Sequence, residues 1–345
     1  MLSTIRFSSP AWRILGELCG KPFNRKGRKG TRKVRNGLLS LLPLLLLPLL
    51  FTCTAFPQAS EKVIIDTDIG DDIDDAFAVA LALRSPELQI LGISTTFGDT
   101  QTRAKLVDRM LGEAGRTEIP VAVGVHTDAK TAFGQRPYAE GGHFARPSHP
   151  QSVDFILEQI RRNPGEITLV CIGPLVNVGA MIDRDPQTFR KLKRVVMMGG
   201  SIDRGYGDPY SPPTPAEPEW NIKNDSRSAQ KLFASGVPIY DMPLDSTQLK
   251  LEEVGRAFLF RQGTPLTDAL AILYHQWGQE TPTLYDPMTI AFIDDAKLCP
   301  VEPMHIDVDS TGMTRRGSGS PNAQVCLHSD PQAFIRFYLS RVAAQ

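Results

Sequence analysis

From Lys62 onward, short apolar runs alternate with stretches in which apolar positions recur every three to four residues. KVIIDTD precedes DDAFAVALALRS, LQILGISTTFG precedes TRAKLVDRMLGEAG, and IPVAVGV precedes SVDFILEQIRR. The alternation resumes with ITLVCIG, VNVGAMIDR, KRVVMMGG, SRSAQKLFASG and VPIYDMPL. Runs of this kind, each followed by helical spacing, predict an α/β fold with a mostly parallel, Rossmann-like central sheet and helices on both faces. Helical spacing continues over Glu252–Gln262 and Pro265–Gln279, Met304–Val308 and Ala323–Leu327 predict extra strands, and Pro331–Val342 predicts a closing helix. The Pro-rich stretch Asp208–Pro218 reads as a long loop over the site. Functional residues of an open parallel sheet belong just after its strands, where the ligand crevice lies.

Residues 1–60 break this pattern. Leu38–Phe56 is an uncharged, Leu-rich run, preceded by the basic stretch Arg25–Arg35 and followed by Ala59 and Ser60, the three parts of an export signal. An uncleaved membrane anchor over 38–56 is the alternative, although Pro43 and Pro48 disfavour a regular helix. A lipid-modified Cys53 is a third reading. The expectation is a leader or anchor over 1–60, a single domain over 61–345, and export to the periplasm or the medium, with membrane contact only through the N-terminal segment.

The formal charge of the whole chain is zero, but the first sixty residues hold ten Lys/Arg and one acid, leaving 28 basic against 37 acidic residues in the remainder. A net charge near −9 there makes a poor surface for phosphate backbones, so nucleic acid is not an expected partner. After the leader only Cys171, Cys299 and Cys326 occur, an odd number with no CxxC pair, so neither a disulfide framework nor a zinc site is indicated. Cys171, inside ITLVCIG, reads as a small buried hydrophobe.

The chemistry concentrates behind the first strand, where Asp66, Asp68, Asp71, Asp72, Asp74 and Asp75 place six carboxylates in ten residues. Like charges so crowded repel unless a cation is present, and oxygen donors without His or Cys select a hard ion, Ca²⁺ or Mg²⁺. Helix capping would explain one or two of these acids. An EF-hand fails, because Gly70 is fifth from Asp66, Phe77 is twelfth, and a strand precedes. Strand, then D-T-D-x-G, then D-D-A is similar to the amino-terminal signature DxDPGxDD of the inosine-uridine preferring nucleoside hydrolase family. That resemblance implies that Asp68, Asp74 and Asp75 bind Ca²⁺ and that Asp68 is also the base toward a water held by the ion. The chain departs in Ile69, which replaces Pro, and in extra residues before Asp-Asp-Ala. Anchoring on Asp68 without a gap would use Asp72; anchoring on Asp-Asp-Ala, the preferred alignment, uses Asp74 and Asp75.

Three later segments extend the resemblance. Tyr285-Asp286-Pro287 is similar to the family's His-Asp-Pro signature, which implies that Asp286 completes the calcium shell and puts Tyr285 where many members carry the acid for the leaving base. A lone Asp before Pro is otherwise a helix cap. Gly173-Pro174-Leu175-Val176-Asn177 resembles the family's GPLTN turn, implying that the Val176 carbonyl binds calcium; Asn177 either orients a sugar hydroxyl or caps a helix. Glu219-Trp220-Asn221 resembles the segment whose Glu and Asn hold ribose hydroxyls, chemistry that an acceptor and an amide at this spacing suit. Asp99 after Gly98 stands where a sugar-binding Asn is usual, or caps the next helix. His143 and His275 are assigned no catalytic role.

The resemblance thus implies a nucleoside hydrolase fold, commonly assembled as a homo-oligomer, that cleaves the N-glycosidic bond of a small-molecule nucleoside. An exported nucleoside or sugar receptor without efficient chemistry is the rival reading, motivated by Tyr285. A phosphatase fits less well, since Gly70 follows the second Asp of DxD by two residues.

Overall fold

The first strand, β1 (Glu61–Thr67), is buried from Val63 to its end because it has parallel neighbours on both sides, β2 (Leu88–Thr95) and β4 (Ile167–Ile172). This computed structural model describes residues 60–141, 143–207 and 211–344. The expected leader over 1–60, with its 38–56 run and Cys53, lies outside the described residues except for Ser60, as do three residues of the Pro-rich loop.

The remaining strands are β3 (Val121–Ala122), β5 (Arg194–Met198), β6 (Ile239–Met242), β7 (Glu302–Met304), β8 (Ile306–Val308), β9 (Thr314–Arg316) and β10 (Ala323–Val325). Eight of them form one sheet in the order β3-β2-β1-β4-β5-β6-β10-β7, parallel throughout except for the antiparallel edge strand β7. The chain builds outward from β1 to β3, then returns and builds the other way from β4. Loops leaving β1 and β4 therefore diverge, which opens a crevice at the reversal point.

Period-two alternation within the strands sorts the core into two layers. In β5, Val196 and Met198 face the layer formed with the helices Asp74–Leu83, Thr100–Glu113, Pro265–Trp277 and Pro287–Asp294. Val195 and Met197 face the layer formed with Ser152–Arg162, Val176–Arg184 and Ser226–Phe233. This is the expected mostly parallel sheet with helices on both faces.

The carboxyl-terminal part differs from the sequence expectation in detail. Met304–Val308 is not one strand: β7 pairs with β10, whereas β8 turns away and pairs with β9 in a separate two-stranded ladder. β9, running TRR, carries no apolar alternation that would reveal it. The expectation of no disulfide is corrected as well. Cys299 and Cys326, 27 residues apart and 5.6 Å between Cα atoms, are bonded, because β7 and β10 pair antiparallel and bring the two flanking residues together. Cys171 is the odd one out, a free thiol buried in β4. Among the described residues no helix is long and apolar enough to cross a membrane.

Candidate active site

The acidic stretch leaves the carboxyl end of β1 and turns at Gly70, whose φ of +127° and contact with the Phe133 ring exclude a side chain; a Cβ there would lie 2.2 Å from Phe133 Cε2. Past that turn, Asp74 and Asp75 occupy the first turn of the helix Asp74–Leu83. Asp286 precedes the helix Pro287–Asp294 but makes no capping hydrogen bond, so the capping explanation fails for it. Instead the carboxylates of Asp74, Asp75 and Asp286 converge, all buried, with one oxygen of each within 4.8 Å of the others. Burial, and after it repulsion from neighbouring acids, pushes all three carboxyls well above the ordinary carboxylate range. Asp75 also accepts the Thr67 hydroxyl.

Asp68 is buried beside this trio. Burial lifts its carboxyl to about 7; Asp71 adds to the rise, while the Arg103 guanidinium and the Trp220 indole oppose it. Asp66, one strand position from the turn, faces away and accepts from Ser94 and Asn177; burial holds it at about 6 against those two donors. Asp72 is exposed and stands outside the trio, so the geometry groups Asp74 and Asp75 with Asp286, as in the preferred alignment.

The trio and Asp68 line a cavity of about 490 Å³, within the range of roughly 300–1,000 Å³ usual for small-molecule sites. Glu219, Trp220, Asn221 and Tyr285 line it too. Glu219 caps the helix Trp220–Asn224, its oxygens accepting from Gly200 N (2.9 Å), Asn221 N (2.9 Å) and Ile222 N (3.1 Å), while burial raises its carboxyl to about 7. Asn221 donates to the Met198 carbonyl at 3.0 Å, and its side-chain oxygen accepts nothing among the described residues. Tyr285 meets Tyr206 edge-on at 6.1 Å, and burial lifts its phenol above the ordinary value.

Two expected substrate residues do not reach the cavity. Asn177 is buried as a bracket, donating to Asp66 Oδ1 (2.7 Å) and the Thr95 carbonyl (2.9 Å) and accepting from Val125 N (2.9 Å). Asp99 caps the helix Thr100–Glu113 through Thr102 N at 3.1 Å and pairs with Arg136 at 2.9 Å. Val176 opens the helix after β4, and of that turn region only Ile172 lines the cavity. His143 and His275 are exposed and off the cavity.

Sequence reasoning passed over Arg103, Lys130, Tyr206, Trp277 and Gln279. The last four line the cavity from loops or helix ends whose composition is unremarkable. Arg103 did leave a signal. It lies on the same helical face as Val107, Met110 and Leu111, where a cation needs a buried partner. Asp241, in β6, is fully buried with both carboxylate oxygens unpartnered among the described residues, and burial followed by repulsion from Glu219 and Asp245 pushes its carboxyl well above the ordinary carboxylate range.

A sequence profile described as inosine-uridine preferring nucleoside hydrolase matches residues 63–336. The pyrimidine-specific ribonucleoside hydrolase RihA of Citrobacter koseri is 31% identical over 317 residues, covering 81% of this chain and 97% of that protein. A solved plant nucleoside hydrolase, PpNRh1, superposes with a TM-score of 0.71 at 25% identity, covering 83% of this chain and 99% of that one. A purine-preferring ribonucleoside hydrolase from Gardnerella vaginalis has the same fold, with a TM-score of 0.70 at 22% identity over 82% of this chain and 98% of that one. The chain belongs to the inosine-uridine preferring nucleoside hydrolase family, hydrolases acting on N-glycosyl bonds.

Proposed function

We propose that the protein is an exported, Ca²⁺-dependent enzyme that hydrolyses ribonucleosides to ribose and free base, with Asp68 as the base. The observation that carries this reading is the buried trio Asp74, Asp75 and Asp286 beside Asp68, on the wall of a cavity that also presents Glu219 and Asn221. The donor set fits a hard divalent cation, being all carboxylate with no His or Cys. At separations under 4.8 Å and an effective dielectric of about 20, each ionised pair repels by at least about 3 kcal/mol. Three such pairs approach 10 kcal/mol, on the scale of a whole domain's stability, so full ionisation requires a counter-cation. Asp68, Asp74, Asp75 and Asp286 would hold that ion; the Val176 carbonyl, the backbone donor that the family resemblance implies, stands at the start of the helix after β4. When bound, the ion supplies attachment for the sugar's adjacent hydroxyls and acidifies a water.

The rest falls to the chain's own side chains. Asp68, buried on the cavity wall beside the trio, accepts the proton of the attacking water. Asn221 offers its unpaired oxygen to a sugar hydroxyl, and Glu219 is held by three backbone N–H groups so that its carboxyl edge faces the cavity with little freedom. Tyr285 is too weak an acid to give up its proton near neutral pH, so it assists the departing base by donating a hydrogen bond. Export is supported by the tripartite leader pattern and by the Cys299–Cys326 bond, a linkage that persists in oxidising compartments.

Assaying a panel of purine and pyrimidine ribonucleosides for free ribose, with calcium and with chelator, tests the reading. Ribose released only with calcium is the expected result; nucleosides bound but left intact in both conditions would make the protein a receptor. For leaving-group assistance, Tyr285→Phe is expected to slow an ordinary nucleoside about tenfold, the worth of one hydrogen bond to a developing charge. The same change should leave a riboside with an activated phenolic leaving group nearly unaffected, because that group departs without help. Equal losses on both substrates would remove Tyr285 from this role.

A further inference from the structure

The segment Asp128–Gly134 has no helix or strand of its own, yet Lys130, Thr131 and Ala132 line the cavity together with the acidic cluster. Among the described residues, its hydrogen bonds to distant parts of the chain all end on Asp71. Thr131 Oγ1 donates to Asp71 Oδ1 at 2.8 Å and Phe133 N donates to the same oxygen at 2.9 Å. The next residue but one continues the grip, since Gln135 N donates to the Gly70 carbonyl (3.2 Å) and its Nε2 to the Asp72 carbonyl (2.7 Å). Phe133 sits at φ +33°, a region bulky side chains avoid, so this conformation depends on the contacts around it.

Asp71 is in turn immobilised by Arg103, whose side chain is wholly buried. Nη2 donates to Asp71 Oδ2 at 2.8 Å, Nε to the Phe97 carbonyl at 2.8 Å, and Nη1 to the carbonyls of Asp68 and Ile69. The guanidinium also lies 5.0 Å from the centre of the Phe133 ring. One rigid fork thus fixes the backbone that carries Asp68 and the carboxylate that carries the covering segment. Asp71, Asp72 and Ile73 stand between Gly70 and Asp74, where the DxDPGxDD pattern has a single residue, and neither Asp71 nor Asp72 belongs to the buried trio.

We propose that Asp71 is a positioning residue for substrate: clamped by Arg103, it holds Lys130–Ala132 as a roof over the nucleoside. The proposal rests on the hydrolase reading for its kinetic arm only. Asp71→Ala removes both ends of the clamp, and Asp71→Asn keeps the oxygen that accepts from Thr131 and Phe133 while losing the ion pair.

Two measurements test it. Steady-state kinetics on a nucleoside should give Asp71→Ala a KM raised on the order of tenfold, the worth of a charge-assisted hydrogen bond, at a kcat close to wild type, with Asp71→Asn between. Limited trypsin digestion should cut after Lys130 several-fold faster in Asp71→Ala than in wild type, because a segment cut by protease must first leave its ordered state. A fall in kcat at unchanged KM, or unchanged KM together with an unchanged rate of cleavage at Lys130, overturns the proposal. Should Asp71→Ala not fold, Asp71→Asn carries both measurements with the same criteria. If wild type releases no ribose, the hydrolase reading falls, and the digestion rates then decide the clamp alone.

Discussion

Asp68→Ala is expected to lower kcat by about a hundred- to ten-thousandfold, the range that a positioned base contributes, while the folded state survives. Both halves follow from the surroundings of Asp68. Its carboxyl is buried on the cavity wall beside the trio, where a base can take the proton of a water held next to it. The same burial, beside Asp71, Asp74 and Asp75, means that its charge works against the fold, so deleting it relieves repulsion. Its backbone stays fixed, because Arg103 grips the Asp68 carbonyl and not the side chain. Activity and melting temperature measured on the purified variant check the two halves; turnover close to wild type removes Asp68 from the role. In wild type, kcat/KM should rise with pH until Asp68 is ionised, and a bound divalent cation moves that limb below about 7.

How much of this was legible in the sequence varies with the kind of interaction. β1, β4 and β5 carry continuous apolar runs because each lies between parallel neighbours and is buried on both faces, and that burial writes itself as VII, LVCI and VVMM. The acids Asp74, Asp75 and Asp286 were found because crowding carboxylates in sequence or before a helix has few explanations. Whether such an acid caps its helix or faces a cavity depends on side-chain direction, and spacing carries no such information. Asp99 and Asp286 both stand directly before a helix, yet the first accepts the helix N–H of Thr102 and the second joins the trio. Asn177 shows the same limit, since its amide serves β2 and Asp66 from the first turn of the helix after β4 and does not face the cavity. The disulfide was hidden for a further reason: pairing Cys299 with Cys326 requires that β7 fold back along β10, a long-range event.

Asp241 and Arg103 illustrate the converse. Each is a charged residue type at a position whose neighbours along the element are apolar, a local inconsistency that tends to mark a site where function or specificity has a claim. For Arg103 the structure supplies the partner, Asp71, and with it the link between the acidic loop and the covering segment. That link makes the loop after β1 serve twice, once through Asp74 and Asp75 below the turn and once through Asp71 at its outer edge.

The second large effect concerns stability. Asp66, Asp68, Asp74, Asp75 and Asp286 all have folded pKa values above the unfolded value near ~4. A raised acid binds more protons folded than unfolded, so its contribution to stability falls as pH climbs from about 4 through about 6 for Asp66, about 7 for Asp68, and beyond for the trio. With chelator, the melting temperature should therefore drop from pH 5 to pH 8. Calcium competes with those protons, and its benefit should grow over the same interval. At a hundred times its dissociation constant the ion contributes about 2.7 kcal/mol, or roughly 5 °C for a domain of this size. Asp286→Ala separates attraction from repulsion, because it should abolish the calcium-dependent rise and, in chelator at pH 8, melt no lower than wild type. Thermal scans at pH 5 and pH 8, with calcium and with chelator, decide it. A wild-type protein that melts at the same temperature in all four conditions has no ion to hold its carboxylates together, and the assignment of Asp74, Asp75 and Asp286 fails with it.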